Sequence, residues 1–110
     1  MPERNPLPNT ESPRILLHAP TAGALARARS NAANLRKLDP APEVRIVINA
    51  EAVAAALDGP DAVADAQTLV CPNTLQKIAR TAPAPLTVLP EGSVLALARM
   101  QGEGWRYIRA

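Results

Sequence analysis

Apolar residues along this chain fall in short blocks separated by longer stretches of mixed character, and the alternation predicts the fold. The block "RILLHA", residues 14–19, is continuous and closed by Pro13 and Pro20, the pattern of a buried strand. Thr21 suits a helix N-cap, and the helix it opens runs to about Leu38. At about 100° per residue, Leu25, Ala28, Ala32, Leu35 and Leu38 share one side, with Arg29 and Arg36 at its border. Asn31 falls inside that stripe, where a polar group needs a partner from this chain or a neighbouring subunit.

A second strand, "VRIVINA" at residues 44–50, is dense in β-branched residues. The alanine-rich helix "EAVAAALD" follows and is stopped by Gly59 and Pro60. "AQTLVC" reads as a third strand and "NTLQKIAR" as a helix of about two turns. "LTVL", between Pro85 and Pro90, makes a fourth strand, "GSVLALARMQGEG" a fourth helix and "WRYIR" a closing strand. Strand and helix alternate without a hairpin signal, which predicts an α/β fold: an open, mostly parallel five-stranded sheet with helices on both faces. In the fourth helix, Val94, Leu97, Ala98 and Gln101 form one face, while Leu95 points about a quarter turn away. That leaves more apolar surface than one small sheet needs, and an oligomer would bury it.

Composition narrows the function classes. The chain has 110 residues, enough for one domain with a real core, here residues 13–110. With no Phe, one Trp and one Tyr, that core must be built from Ala, Val, Leu and Ile. Residues 1–12 are polar and proline-rich, and are expected to form a disordered tail. They carry no apolar run that reads as a signal peptide, and no stretch approaches membrane-spanning length, so a cytoplasmic location is expected. The net charge is +2 and the twelve basic residues are scattered without interleaved aromatics, which argues against nucleic acid as a partner. A single Cys and a single His exclude an internal disulfide and are too few for a structural zinc cluster.

Chemistry in such sheets gathers at the carboxyl ends of the strands, and three residues stand there: His18, Asn49 and Cys71. Pro72 suits the first position of a helix, which would make Cys71 its N-cap, with the sulfur facing the free N–H groups of Asn73 and Thr74. Those groups and the helix dipole favour the nucleophilic thiolate. With Asn73 as the cap instead, the sulfur sits one residue further away and the effect is weaker but of the same sign. The plainer reading is that Cys71 is a small buried hydrophobe, as free cysteines often are. No phosphate loop, nucleophile elbow, metal spacing or carboxylate pair is present, and no cofactor is implied: "TAGALAR" after the first strand has one Gly and lacks a Lys-Ser/Thr ending.

Four pieces in order complete the picture. They are Asn49 in a strand-to-helix turn, Cys71-Pro72-Asn73-Thr74-Leu75, Pro90 to Gly92, and the ending from Met100 through Gly104-Trp105-Arg106-Tyr107-Ile108. Together they resemble the DsrE/DsrF-like proteins of the intracellular sulfur oxidation type, weakly over the first third and strongly from residue 44 onward. Pro72 stands where relatives often have Gly, and Met100 where they have Leu. The resemblance implies the same open five-stranded sheet, assembly into trimers or hexamers, and a persulfide-carrying cysteine at Cys71. A sulfur carrier or sulfurtransferase subunit is then one expectation, with Asn73, Thr74, His18 and Asn49 supporting the cysteine. The other is a non-catalytic oligomeric binding module with a structural cysteine.

Overall fold

The computed structural model describes residues 12–110, so the tail expected over residues 1–12 lies outside the described residues except for Ser12. Ten elements follow in order: β1 (Arg14–Ala19), α1 (Ala22–Leu38), β2 (Glu43–Ile48), α2 (Glu51–Asp58), α3 (Ala62–Asp65), β3 (Thr68–Val70), α4 (Pro72–Ile78), β4 (Thr87–Val88), α5 (Ser93–Gly102) and β5 (Arg106–Arg109). Local chemistry sets the main boundaries. The Thr21 hydroxyl accepts the Ala24 N–H at 3.0 Å and starts α1. Asp61 does the same for Ala64 and starts α3, a four-residue turn absent from the expected elements. Ala79 closes α4 in the left-handed conformation, φ 56°, with its N–H returned to the last carbonyls of the helix.

All five strands are parallel, in the spatial order β4-β3-β2-β1-β5. The chain builds outward from β1 through β2 and β3 to β4, then returns across the sheet to place β5 on the free side of β1. Right-handed crossovers require the returning helix to lie on the opposite face from the others. The packing agrees. Ile15, Leu17, Val44, Ile46, Ile48 and Val70 meet α1, α2 and α4 on one face. Leu16 and Val47 meet α5, through Ala96 and Leu97, on the other. Leu16, Leu17, Ile46 and Ile48 are fully or almost fully buried, each contributing about 1.5–3 kcal/mol of burial free energy.

Two expected helix faces are corrected. Asn31 is exposed, because α1 buries Ala24, Leu25, Ala28 and Ala32 and so turns Asn31 to solvent; it needs no partner. Leu38, at the last turn of α1, is likewise 82% exposed. In α5 the buried face is Ser93, Ala96 and Leu97, with Met100 partly buried behind them. Small side chains at 93 and 96 let the helix lie close over Leu16 and Val47, which rotates Val94, Leu95 and Ala98 outward. Among the described residues, no helix is long and apolar enough to cross a membrane.

Candidate functional site around Cys71

β3 ends at Val70, and the Cys71 N–H still completes the ladder to the Ile48 carbonyl at 3.0 Å. The next residue is Pro72, whose fixed φ starts α4 at once, so Cys71 is the N-cap. The return of α5 across the other face brings Ser93, the first residue of that helix, up to the same sulfur. Two helix amino ends therefore converge on one thiol.

Cys71 is 4% exposed. Burial alone pushes its thiol up, but the Thr74 N–H, the Ser93 N–H and the hydroxyls of Ser93 and Thr74 outweigh it and lower the pKa to about 7. The sulfur makes no formed capping hydrogen bond of its own. The donors act as converging dipoles that favour negative charge.

Of the two N–H groups expected from α4, Thr74 contributes to the thiol and Asn73 does not. Asn73 instead lies against the start of α5: a Cβ on Gly92 would stand 2.7 Å from its Nδ2. A side chain at 92 would therefore have to displace the Asn73 amide. Between α4 and α5 opens a depression of about 500 Å³, lined by Cys71, Asn73, Gly92, Ser93, Val94, Leu95 and Ala98. Its outer wall is apolar, with Val94 78% and Leu95 48% exposed.

His18 and Asn49 do meet, but in a separate row. Asn49 Oδ1 accepts from His18 Nε2 at 3.0 Å, which leaves Nδ1 to accept the Tyr107 hydroxyl proton at 2.6 Å. The register carries this row diagonally from β5 through β1 to β2, on the face of the sheet that also carries Cys71. It sits where the strand order reverses, between β1 and β5, the position at which open α/β sheets place ligands. No hydrogen bond among the described residues joins His18, Asn49 or Tyr107 to Cys71.

Ser93 and Tyr107 are the site residues that the sequence pattern misses. Tyr107 carried a strand signal and Ser93 a helix-start signal, and nothing local in either points to a residue many positions away. Among the described residues, no three His, Cys, Asp or Glu side chains gather to hold a metal ion. Comparisons with protein-family models and with curated proteins give no match.

Proposed function

We propose that this protein is a DsrE-like sulfur carrier or sulfurtransferase subunit that holds a persulfide on Cys71 and passes it to another thiol. One observation carries the reading: a thiol with its pKa lowered to about 7, set between two helix amino ends and bordering an open depression. The Cys71 thiolate attacks the outer, sulfane sulfur of a donor persulfide. A new S–S bond forms at Cys71, the donor's S–S bond breaks, and the departing thiolate takes up a proton. Delivery to an acceptor thiol runs the same exchange in reverse, so no external oxidant or reductant is consumed. A reducing, cytoplasmic setting belongs to the proposal, because the lone cysteine must remain a free thiol between transfers.

The 4% exposure of Cys71 favours a second reading, a non-catalytic oligomeric binding module with a sealed structural thiol. Intact-mass measurement separates the two. Incubation with a persulfide donor is expected to add one sulfur atom to the parent chain and none to a folded Cys71→Ser variant. A parent chain that gains no sulfur, and whose thiol resists iodoacetamide under native conditions, removes the carrier reading.

Assembly into trimers or hexamers is part of the same proposal. It draws on exposed Val94 and Leu95 beside the depression, and no longer on Asn31. Sedimentation at low micromolar concentration is expected to give a species well above the monomer, and Leu95→Glu to shift it to smaller forms. A stable monomer in the parent would defeat this.

A further inference from the structure

We propose that His18, Asn49, Tyr107 and Arg109 form a second site, which binds the oxyanion group of a small molecule when His18 is protonated. The site is separate from Cys71 and stands or falls independently of sulfur transfer.

Side chains alternate across a strand, so Tyr107 and Arg109 share one face of β5 and Arg106 and Ile108 the other. The register sets Arg109 directly beside His18 on β1. Tyr107 already meets His18 at 2.6 Å, and Asn49 closes the row from the end of β2 at 3.0 Å. Three adjoining strands thus bring a guanidinium, an amide and a phenol around one imidazole, at the reversal of strand order. His18 and Asn49 are half-buried and Tyr107 and Arg109 exposed, so the cluster is open to a ligand.

Donors outnumber acceptors there. Asn49 Oδ1 accepts from His18, and the Asn49 amide nitrogen makes no hydrogen bond among the described residues. Arg109 has no ion pair among the described residues. The neighbouring acidic groups are directed elsewhere. Glu91 is bonded to Arg99, and Glu51 opens α2, which packs on the opposite face of the sheet. The Ala110 oxygen accepts from Arg27 of α1 at 3.5 Å. An unpaired arginine fork beside a free amide suits an oxyanion.

Protonation decides when the phenol joins in. A phenol has one proton, and neutral His18 accepts it at Nδ1. Protonated His18 donates at both nitrogens, so the Tyr107 oxygen becomes an acceptor toward the ring and its proton turns to the ligand. The same event adds a positive charge. Together they are expected to favour binding at acid pH by about tenfold, the scale of one charge interaction at a partly exposed site.

His18 is the sole histidine and Tyr107 the sole tyrosine, so their ring resonances are identified without assignment in the full chain. Sulfate, which keeps its charge between pH 5.5 and pH 8, and acetate are the tetrahedral and planar probes, with chloride at equal ionic strength as the blank. At pH 5.5 one of them is expected to shift the His18 resonance saturably at about millimolar concentration, and to need about tenfold more at pH 8. Saturation by sulfate points to a phosphate-like group and by acetate to a carboxylate, while shifts no larger than chloride gives overturn the site. Arg109→Gln is expected to abolish saturation, and Arg106→Gln, the same charge change on the opposite face, to preserve it. Equal losses in the two would mean diffuse charge alone and overturn the proposal. Tyr107→Phe is expected to weaken binding at pH 5.5 and leave it unchanged at pH 8, whereas equal weakening at both overturns the reversal of the phenol.

Discussion

Replacing Asp65 by Ala is expected to lower the unfolding free energy by about 3–5 kcal/mol, the usual cost of leaving one member of a buried ion pair alone. The Asp65 side chain is 5% exposed and that of Arg29 19%, with Arg29 Nη2 on Asp65 Oδ1 at 3.1 Å. The other carboxylate oxygen accepts the Asp61 N–H at 3.1 Å, fixing the turn that starts α3. Arg29 Nη1 reaches the Gly59 carbonyl at 2.8 Å, and its buried Nε has no partner among the described residues. Arg29 therefore staples α1 to the α2–α3 connection, and without Asp65 its charge would keep one neutral acceptor. The pair itself is weak evidence of net stabilisation, because desolvating two charges offsets much of their attraction; it is the orphaned charge that is costly. Asp65→Asn keeps the shape and one acceptor and should fall between the parent and the alanine variant. Urea unfolding at neutral pH measures all three. A loss below about 1 kcal/mol for Asp65→Ala would mean that water replaces the carboxylate at this joint.

The parallel α/β architecture was legible because each strand is a short apolar block fenced by proline, glycine or a helix start. "RILLHA" between Pro13 and Pro20 is the clearest case, and β1 spans those six residues. Strand ends were less legible: β3 keeps three residues of "AQTLVC" and β4 two of "LTVL". Alternation alone could not give the strand order, so the reversal between β1 and β5 that aligns His18 with Tyr107 was out of reach. Helix rotation failed where alanine is frequent. On α1 and α5, alanines stand on both sides of the apolar stripe, and neighbours in space choose which side is buried. Cys71 was visible because its signal is local, a strand end followed by proline. Ser93 and the Arg29–Asp65 pair act on residues far away in sequence, and only the return of α5 and the stacking of α2 and α3 against α1 bring them into place.

The second large effect concerns the pH dependence of Cys71. Its alkylation by iodoacetamide is expected to rise with a midpoint near pH 7, the value to which four donors bring the thiol against the opposing effect of burial. An ordinary thiol would titrate near ~8.5, so at neutral pH roughly half of Cys71 is thiolate against a few per cent of a free cysteine. Restricted access to the sulfur lowers the rate by the same factor at every pH and so leaves the midpoint to report the thiol's ionisation. The same shift must appear in stability. Because the folded state holds the thiol below its unfolded value, unfolding requires thiolate to take up a proton wherever the pH lies between the two. The contribution is fully present above ~8.5, fades as pH falls through 7, and amounts to about 2 kcal/mol at its plateau. Cys71→Ser lacks a titrating group but retains a good N-cap, so it should fold and lack this step. Denaturation of both proteins at pH 6 and pH 9.5 isolates the effect, since every other titrating group cancels in the difference. The parent is expected to gain about 2 kcal/mol over the serine variant on going to the higher pH. Equal gains in the two proteins, with an alkylation midpoint near that of a free thiol, would mean that Ser93 and Thr74 do not stabilise the anion. The convergence of α4 and α5 on the sulfur would then be packing alone, and a nucleophilic role for Cys71 would lose its physical basis.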